Sequence, residues 1–254
     1  MISGAARRML CLACLLGAGA AAAQEPLPPE PIPQREMARM MEMDDTAAVG
    51  KLLFNQLEWR DGQGSEGPAW DVQGWYGSDY NKLWLKTEGV RLDSTTRDAR
   101  AELLWDRIFS RWWSSQAGIR HDFGDGPARN WLALGVAGLA PYFVHIEATA
   151  YVGDAGRTAG RLRADYEILF TQRTILQPEF ELNAYGKDDP ERHIGAGLAD
   201  VQLGLRVRYE IRRELAPYLG VAWLHTIGKT ADMVRAAGEE TSVVQFVAGI
   251  RFWL

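Results

Sequence analysis

Beyond its first two dozen residues this 254-residue chain has no cysteine, because its two cysteines are Cys11 and Cys14. That absence excludes disulfides, thiolate metal centres and a cysteine nucleophile from the remainder, which must be stable by other means. Long apolar runs are also missing. The stretch from Met9 to Ala20 is too short to span a bilayer as a helix, and nothing longer follows it. Excess positive charge is absent as well. There are 28 basic and 33 acidic residues, and loss of Arg7 and Arg8 with a leader would move the net charge from -5 to about -7. So acidic a chain is a poor partner for nucleic acid.

What is present at the N-terminus is a leader. Arg7 and Arg8 precede the apolar stretch, and Ala21-Ala22-Ala23 precede Gln24. This is the pattern of a secretory signal over residues 1–23, removed after Ala23. A lipoprotein would need Cys11 or Cys14 as the modified residue, yet both lie inside the apolar stretch without a Leu-small-small lead-in. Residues 24–48 form a second segment, with Pro26, Pro28, Pro29, Pro31 and Pro33 ahead of a Met- and acid-rich stretch from Met37 to Asp45. It has too little packable surface to fold alone, which predicts a flexible tail in the periplasm.

From residue 49 to residue 254 the pattern turns to segments of about ten residues with period two. In Arg161 to Phe170, Leu162, Ala164, Tyr166, Ile168 and Phe170 share one face while Arg161, Arg163, Asp165 and Glu167 share the other. Val201 to Arg212 alternates likewise, with Leu203, Leu205 and Val207 opposing Gln202, Arg206 and Arg208. Strand side chains alternate faces, so one face is apolar and the other densely charged. A soluble sandwich could present its charged face to water, but these segments exceed the usual length of soluble strands and match a tilted bilayer crossing. Twelve can be placed, at about 51–60, 69–77, 80–90, 97–108, 112–123, 129–139, 142–152, 159–170, 174–187, 197–212, 216–228 and 242–254.

Their connections alternate too. Tight turns such as Gly77-Ser78-Asp79 and Ala140-Pro141 are expected on one side, with longer loops at 61–68, 92–96, 124–128, 153–158, 188–196 and 229–240 on the other. The whole predicts an all-β fold, an antiparallel transmembrane β-barrel of about 12 strands in the bacterial outer membrane, its apolar face on lipid and both ends of the chain in the periplasm. Trp59, Trp70, Tyr76, Trp113, Phe123, Tyr142, Tyr151 and Trp223 would form the interfacial girdles. The last segment keeps an apolar face from Val244 to Leu254, with Leu254 where such barrels often carry an aromatic. On this register Leu205→Arg should cost about 2–4 kcal/mol near the bilayer midplane and Arg206→Gln far less.

The inward face carries both signs, Lys86, Glu88, Glu102, Arg120, Glu147, Arg161, Arg163, Glu179, Glu181, Arg206, Arg208 and Arg212 among them. Such a set can cross-pair and hold a narrow interior, or it can line an ion path or a ligand site. The tail offers the other chemistry. Met37, Met40, Met41 and Met43 are four thioethers suited to Cu(I), beside Glu36, Glu42, Asp44 and Asp45 for harder ions. The same spacing also suits a short amphipathic helix that packs on a partner or plugs a lumen. His145 and Glu147, two apart on one inward face, are a candidate secondary metal pair, whereas His121, His193 and His225 have no ligand spacing. Catalysis finds no support: Ser114 and Ser115 lack an evident base, and Gly195-Ala196-Gly197 precedes a strand and not a helix. Asp188-Asp189-Pro190-Glu191 lacks the spacing of a calcium loop.

Several blocks resemble the copper resistance protein B family. They are Gln116 to Phe123, Gly138 to Tyr142, Leu176 to Lys187, Leu203 to Glu214, Ala216-Pro217-Tyr218 and Ala248 to Trp253. The likeness covers nearly all of residues 49–254. It implies an outer-membrane barrel acting in periplasmic copper resistance, with copper bound by a Met- and often His-rich N-terminal region and with other periplasmic copper-resistance proteins as possible partners. The tail departs from that pattern, being short, free of His and limited to one Met cluster, so its copper capacity should be reduced. A structural or transport barrel that binds no metal, with the tail as a plug, is the alternative.

Overall fold

The computed structural model describes residues 33, 36–37, 47–62, 65–92 and 95–254. The expected signal at 1–23, most of the tail at 24–48, and Met40, Met41 and Met43 lie outside the described residues. The chain divides into two units, Met1–Asp44 and Asp45–Leu254. In the first, the backbone N–H groups of Glu36 and Met37 both donate to the carbonyl of Pro33, a single helical turn that leaves Met37 exposed.

The second unit is antiparallel sheet. Its strands are β1 (Val49–Gly62), β2 (Ser65–Gly77), β3 (Asn81–Leu92), β4 (Thr95–Ile108), β5 (Trp113–Gly124), β6 (Arg129–Ala140), β7 (Val144–Gly153), β8 (Thr158–Asp165), β9 (Ile168–Leu169), β10 (Thr174–Tyr185), β11 (Gly197–Tyr209), β12 (Leu215–Thr226) and β13 (Ser242–Trp253). Apart from β8 and β9, which do not pair with each other, each pairs with its neighbours in sequence, and β13 pairs back onto β1, so the sheet closes. Both β8 and β9 pair with β10 and form one stave, giving a closed barrel of twelve staves.

The burial pattern is that of a membrane barrel turned inside out relative to a soluble protein. Leu85, Leu134, Leu205, Leu219 and Phe246 on the outer face are exposed, while Glu58, Arg100, Glu102, Arg120 and Arg206 inside are buried. Phe54 and Phe252 stack on the outer face with ring centroids 4.2 Å apart. No helix among the described residues is long and apolar enough to cross a membrane.

Two expectations need correction, one about connections and one about Arg212. The loops placed at 61–68 and 92–96 are tight hairpins, because Gly62 still faces Ser65 and Leu92 still faces Thr95. Ladder hydrogen bonds do not require apolar side chains, so pairing continues past the last greasy residue. Arg212 lies exposed in the turn after β11, bridged to Leu215, and not on the inward face. The long connection expected at 229–240 is present, and it contains a helix, Gly228–Ala236, which lies against β11. Its Thr230 hydroxyl accepts from the N–H of Gly195 at 3.0 Å, tying it to the neighbouring long loop.

Candidate functional site

Inward alternation brings charges from opposite walls to the same level of the lumen. Arg163 on β8 reaches Asp71 on β2 at 2.8 Å and also holds Glu179 on β10. Arg161 reaches Glu88 on β3 and Glu181 on β10 at 2.8 and 2.7 Å, and Arg100 on β4 holds the same two carboxylates. Lys86 on β3 crosses to Glu147 on β7 at 2.7 Å. Gln56 on β1 donates to Glu179 at 2.9 Å. Arg163–Asp71, Arg161–Glu88, Arg100–Glu181 and Lys86–Glu147 join walls that are far apart around the sheet, and with the pairs between adjacent strands they fill the middle of the barrel with paired side chains.

Desolvated ion pairs are stable only when further hydrogen bonds satisfy their remaining atoms. Glu58 shows how this is met. Its side chain is 0% exposed, and its carboxylate accepts from Arg206 Nε and Nη2, Arg60 Nε and the Tyr218 hydroxyl, each at 2.9 Å. Arg206 also reaches Glu179 at 2.6 Å. Beside this lattice sits a small apolar cluster of Leu104, Trp131, Ala133 and Tyr151. Tyr151 was expected at the membrane interface; it is instead 1% exposed, donating to Glu102 at 2.8 Å, because it shares strand parity with Glu147.

Sequence reasoning missed Glu58, Asp71 and Arg100. Asp71 and Arg100 sit two residues from inward Gln73 and Glu102, so strict parity would have found them. Glu58 is hidden by a β-bulge on β1, where the register shifts between Phe54 and Gln56 and turns both Asn55 and Gln56 inward.

Below the lattice, towards the rim that carries the start of β1 and the end of β13, a vestibule of about 470 Å³ opens. Lys51, Trp75, Lys82, Trp84, His145, Asp165 and Arg251 line it. Lys51 stands 4.6 Å from the ring centre of Trp253 and Lys82 stands 4.8 Å from that of Trp75, cation–π contacts at the rim.

His145 and Glu147 both line this vestibule, as their spacing predicts. They are not, however, a ready metal pair, since Glu147 is engaged by Lys86. Among the described residues there is no group of three or more His, Cys, Asp or Glu side chains that could hold a metal ion. Of the other histidines, His121 bonds Asn130 on the lipid face at 2.7 Å, His225 stacks on Trp223, and His193 ends a turn in the left-handed region. Ser114 donates to Asp106 at 2.6 Å and to no histidine.

Residues 48–254 match the family model described as Copper resistance protein B precursor (CopB). The chain belongs to this family. It is 46% identical over 209 residues to Copper resistance protein B of Escherichia coli, covering 82% of this chain and 71% of that one. A homolog from Pseudomonas syringae pv. tomato is 43% identical over 212 residues, covering 84% of this chain and 72% of that protein. Among solved structures the NanC porin superposes with a TM-score of 0.54 at 11% identity, covering 80% of this chain and 99% of the porin, a likeness of fold alone. Family membership gives this protein a role in copper resistance, and its barrel is of the outer-membrane type. The carboxylates of the mid-lumen lattice fit copper poorly as a resident group, because they are already matched to Arg and Lys.

Proposed function

We propose that this protein binds copper on the periplasmic side of the outer membrane and sequesters it or assists its export. Membership of a copper resistance family carries this reading, joined to the four thioethers of Met37, Met40, Met41 and Met43. Thioethers are soft donors and select Cu(I) over harder ions. On this reading residues 1–23 are cleaved, residues 24–48 form a periplasmic copper-capture segment, and residues 49–254 anchor it in outer-membrane lipid. His145 and Glu147 add a second, inward-facing contribution, with Glu147 free for metal only when Lys86 swings away. Periplasmic copper-resistance proteins are the natural donors or acceptors of the ion. The ionic filling of the mid-lumen favours capture and hand-over above passive flow through an open pore.

Deleting Met37 to Met43 tests this. Copper tolerance of cells and Cu(I) binding by the purified protein should both fall. If both are unchanged, the segment has no metal role and the barrel serves another purpose.

A further inference from the structure

We infer that the vestibule holds an exchangeable Cu(II) site whose protein ligands are His145 and Asp165; the inference rests on the copper reading above. The two residues face each other directly across β7 and β8. In an antiparallel pair such positions hold their Cβ atoms about 5 Å apart, close enough for one ion to be shared. Both side chains line the vestibule, and His145 is exposed to its solvent.

The neighbouring carboxylates decide the partner. Glu147 holds Lys86 at 2.7 Å and Glu167 holds Arg208 at 2.7 Å. The Asp165 side chain makes no hydrogen bond or salt bridge among the described residues, and neither does that of His145. Binding at Asp165 therefore disrupts no ion pair, whereas binding at Glu147 would strand the Lys86 ammonium. Of the four histidines, His145 is the one that lines this cavity.

An imidazole nitrogen with a carboxylate oxygen is a borderline-to-hard donor set, suited to Cu(II) and unlike the thioethers of the Met cluster. Two protein ligands leave the remaining equatorial positions to water or to a carrier's own donors. Such a site exchanges its ion readily. It provides the oxidised ion with a landing point at the mouth of the barrel.

The test is Cu(II) titration of the full-length mature protein in detergent, followed by electron paramagnetic resonance. The expected spectrum has hyperfine coupling from a single imidazole nitrogen at one ion per chain. His145→Ala and His145→Gln should abolish that coupling, and Asp165→Asn should weaken binding at least about tenfold, while Glu167→Gln, which removes a carboxylate already held by Arg208, leaves the affinity unchanged. Folded-state mobility on a detergent gel controls for assembly of each variant. No Cu(II) signal from the unaltered protein, a signal surviving in both His145 variants, or equal loss in Asp165→Asn and Glu167→Gln would each overturn the assignment. The Met37–Met43 deletion, read with Cu(I) under reducing conditions, fails or succeeds separately.

Discussion

Arg206 is where the mid-lumen lattice can be tested most sharply. Its guanidinium makes a two-point contact with Glu58 at 2.9 Å and reaches Glu179 at 2.6 Å, with the residue 6% exposed. Arg206→Met keeps most of the stem volume and deletes the charge, leaving two carboxylates short of a cation. Removing one partner of a buried pair costs about 3–5 kcal/mol. Here Glu58 keeps Arg60 and Tyr218, and Glu179 keeps Arg163 and Gln56, so the low end, about 3 kcal/mol, is expected. Arg206→Gln should cost nearly as much, which revises the expectation of a mild effect drawn from its inward direction alone. Adding Glu58→Gln to Arg206→Met should recover part of the loss, with a coupling of about 1–3 kcal/mol. The measurement is urea unfolding of barrels folded into lipid vesicles, followed by tryptophan fluorescence. If Arg206→Met lies within about 0.5 kcal/mol of the unaltered protein, as a surface substitution would, then the carboxylates are hydrated and the lumen is not filled as described.

Two further outcomes follow from the register and the loops. Leu205→Arg, at a half-exposed position on the outer face, should cost about 2–4 kcal/mol in the same assay near the bilayer midplane; a negligible cost would mean that this face does not meet lipid. Arg129, at the start of β6, donates to both carboxylate oxygens of Asp189 in the loop between β10 and β11 at 2.9 and 3.0 Å, and these bonds hold the Asp189 carboxyl below the usual carboxylate range. The contribution of this clasp is therefore present above the unfolded-state value of about 4 and is lost as pH falls through the lower folded value. Protease resistance of the loop should stay level from neutral pH down to about pH 4 and drop below it, and Asp189→Asn should remove that drop while lowering resistance at neutral pH.

Much of this protein is legible along the chain. Period-two alternation over about ten residues admits one solution in a bilayer, since every backbone group must find a partner and only a closed sheet of tilted strands supplies them. That is why the staves and the outward face of Leu203, Leu205 and Val207 can be placed from the sequence alone. The thioether set at Met37 to Met43 is equally local, because its chemistry lies in residue type and spacing. What the linear chain does not encode is which charge meets which across the lumen. Arg206 and Glu58 are 148 positions apart, and their meeting depends on barrel closure, on strand stagger and on the bulge at Phe54 that reverses the parity of β1. The same closure decided that Glu147 is occupied by Lys86 and that Asp165 stands unengaged opposite His145, since a ligand's availability is set by its neighbours across the lumen, and those neighbours are fixed only when the sheet meets itself.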